Sequence, residues 1–370
     1  MYYFNYFCLQ QLKPAIGSKS VRHILNHFGG YEMISWREIA LKKMLFNIEE
    51  KILLPSESND CPFKSAYQRH LRELSERQTA VVLPGRVSYP QNLIQDKPLA
   101  EVLYVKGQES LLTKGIKIAI VGSRTPTAYG RRVATALSTY LAERGICLVS
   151  GMAMGIDGVV HRSALAVGGK TIAVLATGVN RPYPSCHSDL YRQILDRSGA
   201  IVSERGFEET AKPYHFPYRN RLISGISDAV IVVEAAEKSG SLTTVQHGLE
   251  QGKPIFAVPG SLFSEMSKGP NRLIYDGAIP LIDFSVVTEM FGISGTTQTG
   301  TTQKRMMPEN HHFSEVALRI YEFLSSRKCA EIDAISAELN IEYSDIIKAL
   351  GELTLDDFCE FQSLTRVCIK

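Results

Sequence analysis

The sequence predicts an α/β protein. A doubly wound domain, with a parallel sheet covered on both faces, sits between a small helical unit and a C-terminal winged-helix unit. Three observations carry this reading. Apolar runs of strand length alternate with helical patterns through the centre of the chain. Those runs are mostly continuous rather than alternating, as in strands buried on both faces. The chain then closes with a helix, a helix–turn–helix pattern and two β-prone stretches, the order of a winged helix.

Taken in order, residues 1–54 read as helical, with a turn at Pro14-Ala15-Ile16-Gly17 before a helix through Val21, Leu25 and Phe28. A break follows at Pro55 to Pro62 (PSESNDCP). The central domain occupies 81–291. Its first buried strand is Ile116–Val121, followed by a Gly-Ser turn and a helix from Tyr129 to Arg144. Strand Cys147–Ser150, helix Asp157–Val167, strand Thr171–Ala176 and helix Ser188–Asp196 come next. Strand Ala200–Ser203, a helix around Arg219–Ile226, strand Ala229–Val233, helix Leu242–Gln251 and strand Ile255–Val258 complete the pattern. Residues 292–312 are rich in Gly, Thr and Gln and read as a flexible linker. Within 313–370 the helices are Ser314–Ser325, Glu331–Leu339 and Ser344–Leu355, and strands lie around Cys359–Phe361 and Arg366–Ile369.

Composition bounds the function. With 370 residues, 44% of them hydrophobic and 21% charged, the chain can build two or three domains with a sizeable core. The net charge of +3 hides an asymmetry. From His311 to Lys370 there are 6 basic and 11 acidic residues, against 35 and 27 in the rest. The chain thus has a basic body and an acidic tail domain. Seven cysteines, at 8, 61, 147, 186, 329, 359 and 368, form no C-x-x-C pair, so inert thiols without a disulfide framework or zinc are expected. No metal or cofactor is expected. The opening MYYFNYFCLQQLK has no basic segment followed by a long apolar one, and no apolar run approaches a membrane span. A cytoplasmic protein without a membrane partner is the expectation.

Ligands of an open α/β sheet bind at the carboxyl ends of its strands. Here those ends read Gly122-Ser123-Arg124, Ser150-Gly151, Thr177-Gly178, Ser239-Gly240-Ser241 and Pro259-Gly260-Ser261. Backbone N–H groups in such turns make an anion site. The first turn reads GSRTPTAYG, not G-x-G-x-x-G, and no P-loop is present. Arg124 stands at the mouth of the crevice, suited to grip a phosphate; a surface arginine pairing a carboxylate is the alternative. His215-Phe216-Pro217-Tyr218-Arg219-Asn220-Arg221 interleaves aromatics and cations, the composition that single-stranded nucleic acid requires. A core Phe216 with helix-capping arginines accounts for the same composition, and the residues alone leave both open. Asp157 and His161, four apart on one helix, read as a first-turn cap and a structural histidine rather than an acid–base pair.

These motifs, in this order, resemble the DNA-processing protein A family (DprA, also called Smf). The resemblance runs from about Leu83 to Asp283. It includes GSR at 122–124, SGMAMGIDGVVH at 150–161, Tyr183-Pro184, FPYRNRLISGISDAVIVVEA at 216–235, VPG at 258–260 and NRLIYDGA at 271–278. It implies a Rossmann-like domain without known catalysis that binds and protects single-stranded DNA. It further implies a homodimer that loads a RecA-type recombinase during natural transformation, and a SAM-like or helix-hairpin-helix-like unit at 1–54. Carried over, the DNA-binding residues are Gly122, Ser123, Arg124, Phe216, Arg219 and Asn220, with Arg181 as the basic residue before the Tyr-Pro pair. Ala15 stands where the N-terminal hairpin of relatives has its first glycine, so close phosphate approach there is not expected.

For the homodimer, Val286, Val287, Met290 and Phe291 share a helical stripe; the alternative is that the stripe covers the sheet. In the tail, Glu342, Asp345, Glu352, Asp356 and Asp357 face Lys348 alone, so this winged helix is expected to dock protein or a basic surface rather than DNA. The competing enzyme reading is a nucleotide hydrolase of the lysine-decarboxylase-like group. That group carries P-G-G-x-G-T-x-x-E, whereas this chain reads Glu234-Ala235-Ala236-Glu237-Lys238-Ser239-Gly240-Ser241.

Overall fold

The computed structural model describes residues 2–49, 52, 54–55, 62–94, 100–207, 209–293, 314–327, 329–355, 359–361 and 366–369. The chain divides into two compact units, Met1–Ser294 and Gly295–Lys370. Nearly all of the expected linker, residues 294–312, lies outside the described residues, as do Asp356 and Asp357.

The first unit opens with α1 (Tyr2–Phe28), which is broken at Gly17, where φ is 78°. Pro14 lies inside the helix and Ile16 is buried, so the turn is narrower than the four residues expected. Helices α2 (Trp36–Leu41) and α3 (Pro62–Glu76) follow. Leu9, Leu12, Ile24, Ile39 and Phe46 form the core of this helical part. Its other face meets the sheet through Tyr3, whose hydroxyl is 2.6 Å from His70 Nε2 and donates to Tyr104 Oη at 3.3 Å.

The strands are β1 (Thr79–Val82), β2 (Leu103–Gly107), β3 (Lys117–Val121), β4 (Cys147–Ser150), β5 (Thr171–Val174), β6 (Ala200–Ser203), β7 (Ala229–Val232), β8 (Ile255–Ala257) and β9 (Ile279–Pro280). Among the described residues they form one sheet, in the order β1-β2-β6-β5-β4-β3-β7-β8-β9. Pairing is parallel from β6 to β9, as expected. The sheet departs from the expectation at one edge, where β1 and β2 extend it with antiparallel pairs.

The crossover helices are α4 (Ala128–Glu143), α5 (Ile156–Ala166), α6 (Ser188–Asp196), α7 (His215–Ile226), α8 (Leu242–Glu250), α9 (Lys268–Tyr275) and α10 (Ser285–Met290). One core layer places Val121, Val149, Val232 and Ile223 together; the other joins Ile120, Leu148, Ile231, Leu137 and Val160. Helix α7 begins four residues before the expected Arg219, because Pro217 falls in its first turn, where proline is tolerated. Val287 is fully buried in the sheet-face core, and Val286 and Phe291 pack partly against it. Of the four residues read as a dimer stripe, Val287 thus packs within the fold, and Met290 alone is exposed. Cys8 and Cys147 are buried as expected, but Cys186 is exposed, 3.4 Å from Met154 Sδ. Among the described residues no helix is long and apolar enough to cross a membrane.

The second unit contains α11 (Glu315–Arg327), β10 (Cys329–Glu331), α12 (Ile332–Leu339), α13 (Tyr343–Leu355), β11 (Cys359–Phe361) and β12 (Arg366–Ile369). The three strands pair antiparallel in the order β10-β12-β11. Ile320, Leu324, Ile335, Ile346, Leu350 and Leu353 fill the core. Element order follows the winged-helix expectation, with one added short strand, β10, ahead of α12.

Candidate nucleic-acid interface

Strand order reverses between β3 and β7, and the carboxyl ends of these strands open on a crevice of about 720 Å³. Gly122, Ser123, Arg124, Phe216, Arg219 and Asn220 line it, with Tyr183, Asp157, Ser239, Ser241 and Met266. Six of the seven residues carried over from the family thus meet in one place. Arg181 does not line the crevice; it lies two residues before Tyr183, exposed, in the same loop.

The first turn holds Arg124 out to solvent. Ser123 N–H donates to the Glu234 carbonyl at 2.7 Å, and Ser123 Oγ accepts from Thr125 N–H at 3.1 Å. The Arg124 guanidinium carbon stands 5.5 Å from the centroid of the Phe216 ring, within cation–π range. The Tyr183 ring lies 5.3 Å from Phe216, tilted by 58°. Arg124, Phe216 and Tyr183 therefore form one wall that presents a fork of donors beside two π-faces. No role for Tyr183 was read from the sequence, because its partner is 33 positions away and no local pattern announces the pairing.

Within the His215–Arg221 segment, Pro217 and Tyr218 are exposed, whereas Arg219 and Asn220 are buried and support this wall from behind. Arg219 is buried; its Nη1 donates to the Gly151 carbonyl at 2.9 Å and to the Val174 carbonyl. Burial pushes the Arg219 guanidinium down to about 10, and Asp157 beside it opposes that shift. A Cβ on Gly151 would lie 2.5 Å from Arg219 Nη2, so the second turn must be glycine for the arginine to pass beneath it. Asn220 Nδ2 donates to Thr243 Oγ1 at 2.6 Å and to the Gly240 carbonyl at 3.3 Å, tying α7 to the Ser239–Ser241 turn. Arg221 makes two 2.7 Å bonds to the Glu204 carboxylate and lies 3.9 Å from the Tyr218 ring centroid, away from the crevice.

Asp157 and His161 separate as expected. Asp157 Oδ2 accepts the backbone N–H groups of Gly151 and Ala153 at 3.1 and 3.2 Å, bracing the second turn. His161 is buried below, with Nδ1 at 2.7 Å from Thr171 Oγ1. Their hydrogen-bond partners differ. Among the described residues no cluster of three His, Cys, Asp or Glu could hold a metal.

Fold and crevice define a class: a Rossmann-like α/β protein whose switch-point crevice is walled by an exposed arginine and two aromatics in place of a dinucleotide fingerprint. Within that class, residues 80–292 match the family model of the DNA recombination-mediator protein A, and the chain belongs to this family. It is 38% identical to protein Smf of Escherichia coli over 273 residues, 72% of this chain and 71% of that one. The crystal structure of DNA processing protein A from Streptococcus pneumoniae superposes with a TM-score of 0.61 at 29% identity, covering 78% of this chain and 98% of that one. DNA processing protein A from Helicobacter pylori, whose structure describes a single-stranded DNA binding mode, matches with a TM-score of 0.51 at 29% identity. That match covers 58% of this chain and 95% of its counterpart.

Proposed function

We propose that this protein binds single-stranded DNA in the crevice and, as a homodimer, protects incoming DNA and loads a RecA-type recombinase on it during natural transformation. The wall of Arg124, Phe216 and Tyr183 carries the reading. A guanidinium fork takes a phosphate, and aromatic faces take unpaired bases, whose stacking is available only when strands are separated. A duplex keeps its bases stacked inside and offers that wall only its backbone. Membership in a recombination-mediator family supports the reading, as does the single-stranded DNA binding mode described for the H. pylori relative. In this reading Arg219 and Asn220 position the wall from behind, Arg181 extends it along the strand, and the protein acts in the cytoplasm as a binder rather than an enzyme. Titrating single- and double-stranded oligonucleotides of one sequence at several salt concentrations tests it. Preference for the single strand is expected; equal affinity for both forms would overturn it.

A further inference from the structure

We propose that the loop after β8 carries a second stacking surface, with Leu262 and Phe263 receiving bases of the strand as it leaves the crevice. This rests on the single-stranded DNA reading above. Phe263 is 99% exposed and Leu262 82% exposed. A scattered exposed apolar residue needs no explanation, but these two are neighbours on a loop that is held in place. Tyr129 Oη donates to the Pro259 carbonyl at 2.9 Å. Gly260 and Asn271 exchange two hydrogen bonds, at 3.1 and 3.0 Å. Ser261 Oγ accepts the Phe263 N–H at 3.2 Å, and the Ser261 carbonyl accepts the Ser264 N–H at 3.1 Å. At the far end Ala235 N–H donates to the Met266 carbonyl at 2.8 Å. The backbone that carries the apolar tip is thus braced at both ends, which lowers the backbone entropy lost on binding.

Continuity with the crevice identifies the occupant. Met266, in the same loop, lines the crevice wall, and Tyr129 lies five residues after Arg124 on the first turn of α4. A crevice of 720 Å³ is the size of a small-molecule site, roughly 300–1,000 Å³, so it takes only a short stretch of strand. The remainder must cross the rim, and on the β8 side the rim is this loop. The charged residues that follow the tip in the chain, Glu265 and Lys268, pair with each other at 2.6 Å. What the tip offers is therefore apolar surface and a π-face, which suits a base of any sequence and takes no phosphate.

The test uses the full chain and oligothymidines of about 4 and about 20 nucleotides, lengths that bracket known site sizes. Phe263→Ala combined with Leu262→Ser should weaken the longer oligonucleotide about tenfold, leave the shorter one unchanged, and keep the salt slope of the wild type. In a second variant, Phe263→Trp, fluorescence should be quenched by the longer oligonucleotide beyond any change from Trp36 in the wild type. Both positions are exposed, so folding is not at risk. Wild-type affinity for both lengths together with an unquenched reporter would overturn the proposal. So would loss of self-association in a sizing experiment with DNA binding intact, which would assign the tip to a protein contact. A wild-type protein that binds neither oligonucleotide overturns the underlying reading, and this one with it, without reference to any variant.

Discussion

The Glu234 carboxylate accepts both the backbone N–H and the hydroxyl of Thr127, at 2.9 and 2.5 Å. Its own backbone carbonyl accepts Ser123 N–H, so one buried residue clamps both ends of the turn that carries Arg124. Thr127 Oγ1 also caps α4 by accepting Gly130 N–H at 3.2 Å. A Cβ on Gly130 would collide with Glu234 Oε2, so the close approach requires glycine. Thr127→Val removes the cap and strips one donor from a buried carboxylate, a loss of about 1–3 kcal/mol in denaturant unfolding. Single-strand affinity should fall as well. Combined with Arg124→Ala, the affinity loss should be less than additive. Additive losses would show that the clamp does not act through Arg124.

Arg124 and Phe216 should separate by salt. Arg124→Ala weakens single-strand binding and flattens the dependence of log affinity on log salt by about 0.7 for each phosphate left without its cation. Phe216→Ala costs roughly 1–3 kcal/mol of stacking with the slope preserved. Tyr183→Ala should behave like Phe216→Ala, because the two rings share one wall. If Arg124→Ala and Phe216→Ala both bind like wild type while folded, the site is elsewhere.

This division of labour shows what was legible before the structure. Strands β4 to β8 are continuous apolar runs between helical patterns, so the parallel body and its carboxyl-end turns could be read directly. Strands β1 and β2 could not, because among the described residues no crossover α-helix separates Thr79–Val82 from Leu103–Gly107 and they gain their register only by antiparallel pairing at the sheet edge. Arg124 was readable as an exposed cation at a known position in the fold, whereas Phe216 stayed open on its residues alone and was singled out only through the family resemblance. The burial of Arg219 was not readable, since arginine is rarely buried and its carbonyl partners, Gly151 and Val174, lie 68 and 45 residues away. The apolar stripe at 286–291 looked the same whether it faced a partner or the sheet, and only packing shows that Val287 faces the sheet.

His161 predicts an acid sensitivity. Thr171 Oγ1 donates to the Leu148 carbonyl at 2.8 Å, so the proton shared with the histidine, 2.7 Å away, must come from His161 Nδ1. Nε2 is then an unprotonated, buried nitrogen without a hydrogen-bond partner. Burial pushes the imidazole down to about 3, with nearby His187, Arg162 and Arg219 adding to the shift. Between about pH 6.5 and that value, the unfolded chain binds a proton that the folded chain refuses. Stability should therefore fall with acid, by up to about 1.4 kcal/mol per pH unit from this group. His161→Gln should show a shallower loss between pH 7 and pH 5 in denaturant titrations. Equal slopes would exclude His161 as the source.

Self-association can be tested at the one residue of the stripe that stays open. Met290 is 45% exposed, whereas Val287 is buried in the core. Met290→Glu should give monomers in a sizing experiment without loss of folding. Two linked crevices bind one strand with greater avidity than one, so affinity for long oligonucleotides should fall in parallel. Val287→Glu, in contrast, should unfold the first unit by burying an unpaired charge. A Met290→Glu protein that remains dimeric would remove this helix from the interface.

The C-terminal unit should contribute nothing to DNA affinity. A winged helix that reads DNA lays its third helix against a groove bordered by phosphates. In this unit that helix is α13, whose exposed face carries Tyr343, Asp345 and Ile347 with Lys348, and Lys348 is already paired with Asp345 at 3.3 Å. Glu342 precedes the helix, and Glu352 is held by Ser314 N–H and Oγ at 3.0 and 2.9 Å. Bringing this face to a phosphate surface would place like charges together as water is removed, whereas a basic partner would be steered toward it. Two apolar side chains amid acidic ones suit a protein partner better than a backbone of phosphates. Truncation after Gly292 should therefore leave single- and double-stranded DNA binding unchanged or slightly tighter at every salt concentration, since net negative charge is removed. Any tightening should be largest at low salt, where screening is weakest. A tenfold loss of duplex affinity in the truncated protein, about 1.4 kcal/mol, would show instead that the acidic unit grips DNA.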